Sequence, residues 1–373
     1  MNRAIACVVG TRPEVVKMAP VILRLRRDGS GFDCRVLATG QHRGLLDLAL
    51  ADFGLAADVD LDLMRPDQDL ADLTARALTG LAGTFGRERP DLVLAQGDTT
   101  SVLCAALACY YQRIPFGHVE AGLRTGRPYF PFPEEKNRVL ADHLADLLFA
   151  PTDEARRNLL REGVDPATIH VVGNTVIDAL LMTARREPRL PIVPATERFL
   201  LVTAHRRESF GAPLDEICRA LGDLVDRQDD LSVVFPVHPN RHVREAVAGR
   251  LVGRPRIQLI DPVGYSEFVA LMRASWLILT DSGGVQEEAP SLGKTVLVLR
   301  DETERPEALA AGSSRLVGPH RAAIVAAVEE FRDRHEVQAR PIGETVNPFG
   351  DGRAADRIAD VLAAWFEAGG ARR

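Results

Sequence analysis

Three acidic residues stand just beyond short structured runs in the first half of the chain. Asp98 follows Leu92-Val93-Leu94-Ala95, Glu120 follows Phe116-Gly117-His118-Val119, and Glu134 closes a loop rich in proline and aromatic residues, 128–133. Two cations, Arg12 and Lys17, follow another apolar run across the turn Gly10-Thr11-Arg12-Pro13-Glu14. Any one of these acids is most simply a helix cap or half of a surface ion pair. Three at one edge, with cations beside them, suit a reaction in which one carboxyl abstracts a proton and another assists a leaving group.

The second half carries a different set. Trp276-Leu277-Ile278-Leu279 reads as a buried strand that runs into Asp281-Ser282-Gly283-Gly284 and then a helix start. A helix opening gathers unpaired N–H groups, and glycine lets an anion come close to them. Ser282, Gly283 and Gly284 therefore read as a phosphate cradle, with Glu288 a turn further in, placed to take two ribose hydroxyls. His205, in Ala204-His205-Arg206-Arg207, lies where another strand meets a basic loop and is a candidate acid/base group or phosphate donor. His238 and His242 have a metal-like spacing, but Pro239 between them and the lack of a third ligand nearby argue against a metal site.

Such residues work together only if strands deliver them to one edge. Strand patterns recur at 4–9, 33–38, 92–95, 116–119 and 169–172, and again at 198–203, 231–236, 257–260 and 295–299. Helical patterns intervene, the longest at 67–85 with Leu70, Leu73, Ala77, Leu78 and Leu81 on one face, and the tail 353–366 is helical. Pro20 is expected to kink or break the helix that follows Arg12. Proline-rich 185–194 reads as a linker or surface excursion. Alternation of this kind predicts an α/β protein of two parallel-sheet, Rossmann-like domains facing a cleft lined by the carboxyl ends of their strands. The expected division is 1–170, completed by a C-terminal helix in 351–373, and 171–350.

The bulk composition bounds the function. With 373 residues, 46% hydrophobic and 26% charged, the chain is an ordinary globular protein of two-domain size. Its net charge of −6 argues against a nucleic-acid partner. No apolar run nears the ~20 residues that span a bilayer, so no membrane partner is expected. The amino terminus lacks a signal-peptide pattern, and five scattered cysteines read as buried thiols of a reducing compartment, which implies a cytoplasmic location.

Taken together, the motifs identify a resemblance that runs nearly end to end. Gly-Thr-Arg-Pro-Glu at 10–14 with Lys17, Gly-Gln-His-Arg at 40–43, Gln-Gly-Asp-Thr at 96–99, His-Val-Glu-Ala-Gly-Leu-Arg at 118–124, Pro-Glu-Glu-x-Asn-Arg at 133–138, His-Arg-Arg-Glu at 205–208, Pro-Val-His at 236–238, Asp-Ser-Gly-Gly-x-Gln-Glu-Glu at 281–288 and Thr-Glu-Arg-Pro-Glu at 303–307 resemble the bacterial non-hydrolysing UDP-N-acetylglucosamine 2-epimerases. That family has a type B glycosyltransferase-like fold in which the last helix crosses back to the first domain.

The resemblance implies that UDP-GlcNAc loses UDP across sugar carbons 1 and 2, giving 2-acetamidoglucal, and that UDP adds back after protonation from the other face, giving UDP-ManNAc. It implies no nicotinamide or metal cofactor, and a homodimer. It makes Asp98, Glu120 and Glu134 the acid/base carboxylates without dividing their roles, and puts His205 at the diphosphate. Arg12, Lys17, Ser282, Gly283 and Gly284 would bind phosphate or sugar, Arg305 the sugar side, Glu288 the ribose, and Val263 and Phe268 the surroundings of the uracil. Gln41, Glu134, Arg206 and His238 match a second UDP-GlcNAc site that activates many bacterial members. Gly44 and Asp67 depart from that site's usual pattern, so activation is expected to be weak or absent, and Lys136 stands where a small or apolar residue is common. Two neighbouring activities share much of this pattern: a 2-epimerase of a related UDP-2-acetamido sugar, and a retaining UDP-sugar glycosyltransferase, which needs no acid/base pair at carbon 2.

Overall fold

The structure is a computed structural model that describes residues 2–40, 43–63, 65, 68–204, 210–238, 240–303, 305–334 and 347–370. It divides into two compact units, Met1–Ala179 with Phe349–Arg373, and Leu180–Pro348.

In the first unit the strands are β1 (Arg3–Val9), β2 (Phe32–Ala38), β3 (Val59–Asp60), β4 (Leu92–Gln96), β5 (Phe116–Val119), β6 (Leu147–Ala150) and β7 (Ile169–Val171). Between them run α1 (Arg12–Leu25), α2 (Arg43–Asp52), α3 (Leu70–Glu88), α4 (Thr100–Gln112), α5 (Glu134–Leu144), α6 (Asp153–Arg161) and α7 (Thr175–Arg185), the last of which carries the chain past the division between units. All pairings are parallel, in the order β3-β2-β1-β4-β5-β6-β7. The order reverses between β1 and β4, and their carboxyl ends open the crevice where such sheets take ligands. Strands buried on both faces need unbroken apolar runs, and β4 is buried along its whole length. Ala77, Leu81 and Phe85 of α3 and Ala105, Ala108 and Cys109 of α4 pack over one face.

The second unit repeats the plan. Its strands are β8 (Arg198–Thr203), β9 (Leu231–Pro236), β10 (Ile257–Ile260), β11 (Leu277–Thr280), β12 (Val296–Val298) and β13 (Ser314–Leu316), ordered β10-β9-β8-β11-β12-β13 and all parallel. Helices α8 (Ala212–Arg227), α9 (Arg241–Leu251), α10 (Tyr265–Ala274), α11 (Gly283–Glu288), α12 (Pro306–Ala310) and α13 (Arg321–Arg334) complete it. Here the reversal falls between β8 and β11. The predicted α/β class with two parallel sheets is the one observed.

The last helix, α14 (Ala354–Glu367), packs on α1, with Arg24 Nε 2.8 Å from Asp356 Oδ1. Its amino end is capped from a distance by Asp178, which accepts from Ala354 N at 3.2 Å and Ala355 N at 2.8 Å. Burial pushes that carboxyl up to about 6, against the pull of the two backbone donors.

Pro20 does not break its helix. Helix α1 continues through it to Leu25. Proline deletes a single backbone bond, and here its ring is buried in the apolar face beside Ala19, Val21 and Ile22. Gly122 shows the opposite constraint: it adopts φ +87°, and a Cβ there would stand 2.3 Å from the Ala155 carbonyl oxygen. All five cysteines are buried free thiols. Among the described residues no helix is long and apolar enough to cross a membrane.

Candidate functional site

Beyond β4 the chain turns through Gly97, φ +89°, to Asp98. Helix α5 supplies two donors to this turn. Asn137 Nδ2 donates to the Asp98 backbone carbonyl at 2.9 Å, and the Arg138 guanidinium pairs with Asp98 Oδ2. Both sit in the first turns of the helix that the half-buried Glu134 opens.

Glu120 follows β5 in the left-handed region, φ +69°, a conformation that costs a non-glycine residue roughly 1–2 kcal/mol. Its carboxyl is held from three other elements: Lys17 Nζ of α1 at 2.5 Å and Asn174 Nδ2 at 3.3 Å, both to Oε1, and Gln96 Nε2 on Oε2. Gln96 pairs with Val119 in the β4–β5 register, so Asp98 and Glu120 leave adjoining strand ends. The two carboxyls differ in access, 29% exposed for Asp98 and 7% for Glu120. Two carboxyls at one sheet edge, each with its own cation, are the parts needed to remove a proton and return one.

Glu14, which sequence reasoning did not single out, ties this edge together. Its Oε2 accepts from Gly10 N at 2.5 Å and Thr11 N at 2.9 Å, and its Oε1 from the Thr99 hydroxyl at 2.5 Å. One buried carboxyl thus joins the turn before Arg12 to the residue after Asp98. Burial pushes it up to about 7, although the three donors pull it down. Thr99 occupies the cap position of α4 yet donates its hydroxyl to Glu14 rather than capping the helix. Gly10 has no space for a side chain: a Cβ would lie 2.5 Å from Thr39 Oγ1 and 2.8 Å from Ser101 Oγ.

Beneath the same edge lies an ionic chain that is buried at His118 and Asp142 and reaches the surface at Glu162. His118 Nδ1 is 2.6 Å from Asp142 Oδ1, and its Nε2 is 2.7 Å from the Gly97 carbonyl oxygen. Asp142 Oδ2 takes Arg124 at 2.7 Å and the Gly122 N–H at 3.1 Å, and Arg124 continues to Glu162 at 2.7 Å. Burial works to lower His118, but the Asp142 carboxylate outweighs it and the imidazole is raised above its ordinary 6.5. Burial likewise works to raise Asp142, and the two cations hold it below its ordinary value.

In the second unit the ends of β8 and β11 are joined by the Thr203 and Thr280 hydroxyls at 2.5 Å, and Ser282 N donates to Thr280 Oγ1 at 2.9 Å. Helix α11 opens directly after Ser282 and passes into a 3-10 turn, Ala289–Leu292. Ser282 makes no side-chain bond to cap it, and a Cβ on Gly284 would meet only Ser282 Oγ, at 3.9 Å. The side chains that follow are largely committed to the framework. Gln286 donates to Ser282 O at 3.2 Å and accepts from the Thr303 hydroxyl at 2.7 Å. Glu287 receives Arg305 Nε at 2.5 Å, and Glu288 receives the Tyr265 hydroxyl at 2.6 Å. Val263 stands half-buried just before α10, and Phe268 is half-buried one turn inside it.

The family model for UDP-N-acetylglucosamine 2-epimerase matches residues 24–363. The chain belongs to the UDP-N-acetylglucosamine 2-epimerase family, a family of isomerases. It is 49% identical over 368 residues to the UDP-N-acetylglucosamine 2-epimerase of Escherichia coli K12, covering 95% of this chain and 97% of the relative. Among solved structures, the Neisseria meningitidis UDP-GlcNAc 2-epimerase bound to UDP-GlcNAc superposes with a TM-score of 0.88 at 41% identity, covering 97% of this chain and 100% of that one. The Methanocaldococcus jannaschii UDP-GlcNAc 2-epimerase, in complex with UDP-GlcNAc and UDP, gives 0.80 at 33% identity, with 97% and 99% covered.

Measured against the epimerase-family motifs, the structure distributes the expected residues unevenly. Arg12, Lys17, Asp98, Glu120 and Glu134 belong to the first unit, and Val263, Phe268, Ser282, Gly283, Gly284, Glu288 and Arg305 to the second. Gln41, His205, Arg206 and Asp67 lie outside the described residues. His238 is exposed, with its Nδ1 accepting from Asn240 N at 3.2 Å, and Gly44 is exposed near the start of α2. Of the residues that sequence reasoning missed, Glu14 and His118 fall within the epimerase motifs and Asp142 and Tyr265 fall outside them. Glu14 carried a readable signal, since Thr11-Arg12-Pro13-Glu14 is a capping-box pattern. Nothing local connects His118 to Asp142 or Tyr265 to Glu288.

Proposed function

We propose that the chain epimerises carbon 2 of UDP-GlcNAc reversibly, giving UDP-ManNAc. A carboxylate takes the proton from carbon 2. That C–H electron pair becomes the carbon 1–carbon 2 double bond of 2-acetamidoglucal as the bond from carbon 1 to the UDP oxygen breaks. UDP then adds back at carbon 1 while carbon 2 receives a proton on the opposite face. Asp98, Glu120 and Glu134 supply the proton-transfer groups, with Arg12 and Lys17 as cations beside them, and His205 attends the diphosphate. Ser282, Gly283 and Gly284 receive phosphate, Glu288 the ribose, Arg305 the sugar side, and Val263 and Phe268 flank the uracil.

The observation that carries the reading is the pair of carboxyls, Asp98 and Glu120, at adjoining strand ends, each fixed by donors from other elements. The bond from Tyr265 to Glu288 supports the ribose role, because it orients that carboxylate. Incubation with UDP-GlcNAc in heavy water tests the reading by NMR. Deuterium is expected at carbon 2 of the recovered UDP-sugars, together with the manno epimer. Complete retention of protium at that carbon would overturn it.

A homodimer belongs to the same proposal. Tyr110 and Tyr111 on α4 and Leu140 on the neighbouring α5 leave large apolar side chains 66%, 63% and 51% exposed, as suits a surface covered by a second copy. Light scattering is expected to return twice the chain mass of 40.7 kDa; a single chain mass at micromolar concentration removes this part of the proposal.

A further inference from the structure

We infer that His118 is a buried imidazolium that positions the Gly97–Asp98 turn, and with it the carboxyl that the proposed reaction uses. The inference rests on that reading for the role of Asp98 but not for the state of the ring. Both ring nitrogens face acceptors at hydrogen-bond distance, a carboxylate at 2.6 Å and a backbone carbonyl at 2.7 Å. A neutral imidazole has one N–H and must leave one of these contacts as lone pair against lone pair. A proton on Asp142 Oδ1 would also satisfy Nδ1, but the Arg124 guanidinium on Oδ2 holds that carboxyl ionised, so the proton belongs to the ring. Protons on both ring nitrogens satisfy every contact.

The charges around the ring fit this state. Asp142 of α5 faces Nδ1, Arg124 stands behind Asp142, and Glu162 at the end of α6 stands behind Arg124. Asp98, paired with Arg138, lies beyond the Gly97 peptide and adds to the attraction. On the apolar side, the Phe116 ring stacks at 6.0 Å, and Ala95 and Leu148 pair with His118 from the adjoining strands. The chain His118–Asp142–Arg124–Glu162 alternates in sign.

Position gives the cation its task. His118 sits on β5, two residues before Glu120, and reaches across to the exit of β4. Gly97 is left-handed there, and the imidazolium fixes the carbonyl that joins it to Asp98. Helix α5 completes the clamp from one side, with Asn137 on the Asp98 carbonyl, Arg138 on its carboxylate and Asp142 on His118. His118 touches no substrate in this scheme; it acts through Asp98.

The full chain labelled with 15N-histidine provides the test. One imidazole is expected to show both nitrogens protonated from pH 6 to pH 8.5, and its signals are expected to vanish in His118→Gln. If every ring gives the neutral pattern at pH 8.5, the inference is overturned. His118→Gln is also expected to lower kcat about 100-fold with KM for UDP-GlcNAc changed less than about threefold, the signature of a misplaced reacting group. Wild-type kcat in that variant overturns the positioning role. Should His118→Gln fail to fold, Phe116→Leu assigns the signal instead, since it shifts only the ring stacked on it. If the wild-type chain epimerises nothing, the proposed function fails while the nitrogen spectrum still decides the charge on the ring.

Discussion

Asp98→Asn and Glu120→Gln are each expected to slow epimerisation about 100-fold or more while changing UDP-GlcNAc affinity only a few-fold. Both substitutions keep shape and remove the ability to take or give a proton. The Asp98 backbone stays anchored by Asn137, and Gln at 120 can still accept from Lys17 through its carbonyl oxygen. Turnover by NMR and binding by calorimetry separate the two effects, and near-normal turnover in both variants would remove these residues from the chemistry.

The same variants can divide the proton roles, which neither sequence nor geometry assigns. A variant that keeps the group on the gluco face but lacks the one opposite still eliminates UDP and re-adds it the way it came. It is expected to wash deuterium into recovered UDP-GlcNAc without making the epimer. The complementary variant is expected to wash deuterium only into UDP-ManNAc, when that sugar is supplied, again without making the epimer. If neither substrate exchanges in either variant, the two groups act as an inseparable unit, and their losses will not add.

Why some of this was legible in the sequence and some was not follows from distance along the chain. Strand ends were readable because a buried parallel strand needs a short apolar run and the ligand edge begins where that run stops: 116–119, 198–203, 231–236 and 257–260 coincide with β5, β8, β9 and β10. The two-residue β3 gave no such run, and the four-residue β6 was not among the strand patterns read. The Ser-Gly-Gly turn was visible because its conformation is written in adjacent residues. The clamps were not. Lys17 meets Glu120, Thr99 meets Glu14, and Tyr265 meets Glu288 only after the sheets bring distant exits together. Sequence alone nominates the acids, and tertiary structure shows which of them are held and by what.

Asp142→Asn is expected to cost about 3–5 kcal/mol of stability, the usual consequence of removing one partner from a buried ionic group. It exposes His118 and Arg124 to each other without the carboxylate between them, and an amide NH2 would then point at a donor. The pH dependence distinguishes this cause from a simple loss of packing. Asp142 is held below its ordinary 3.8, so its contribution is present above that value and disappears as pH falls through the depressed one. His118 is held above its ordinary 6.5, so its contribution is fully present below 6.5 and is lost as pH rises through the raised value. The stability gap between wild type and Asp142→Asn is therefore expected to be widest near about pH 5–6 and to narrow toward both extremes. Urea unfolding of both proteins at about pH 4, 5.5 and 9 measures it. A gap that is large but flat with pH would mean that the residue fills space rather than balances charge, and the imidazolium assignment would lose its counter-ion.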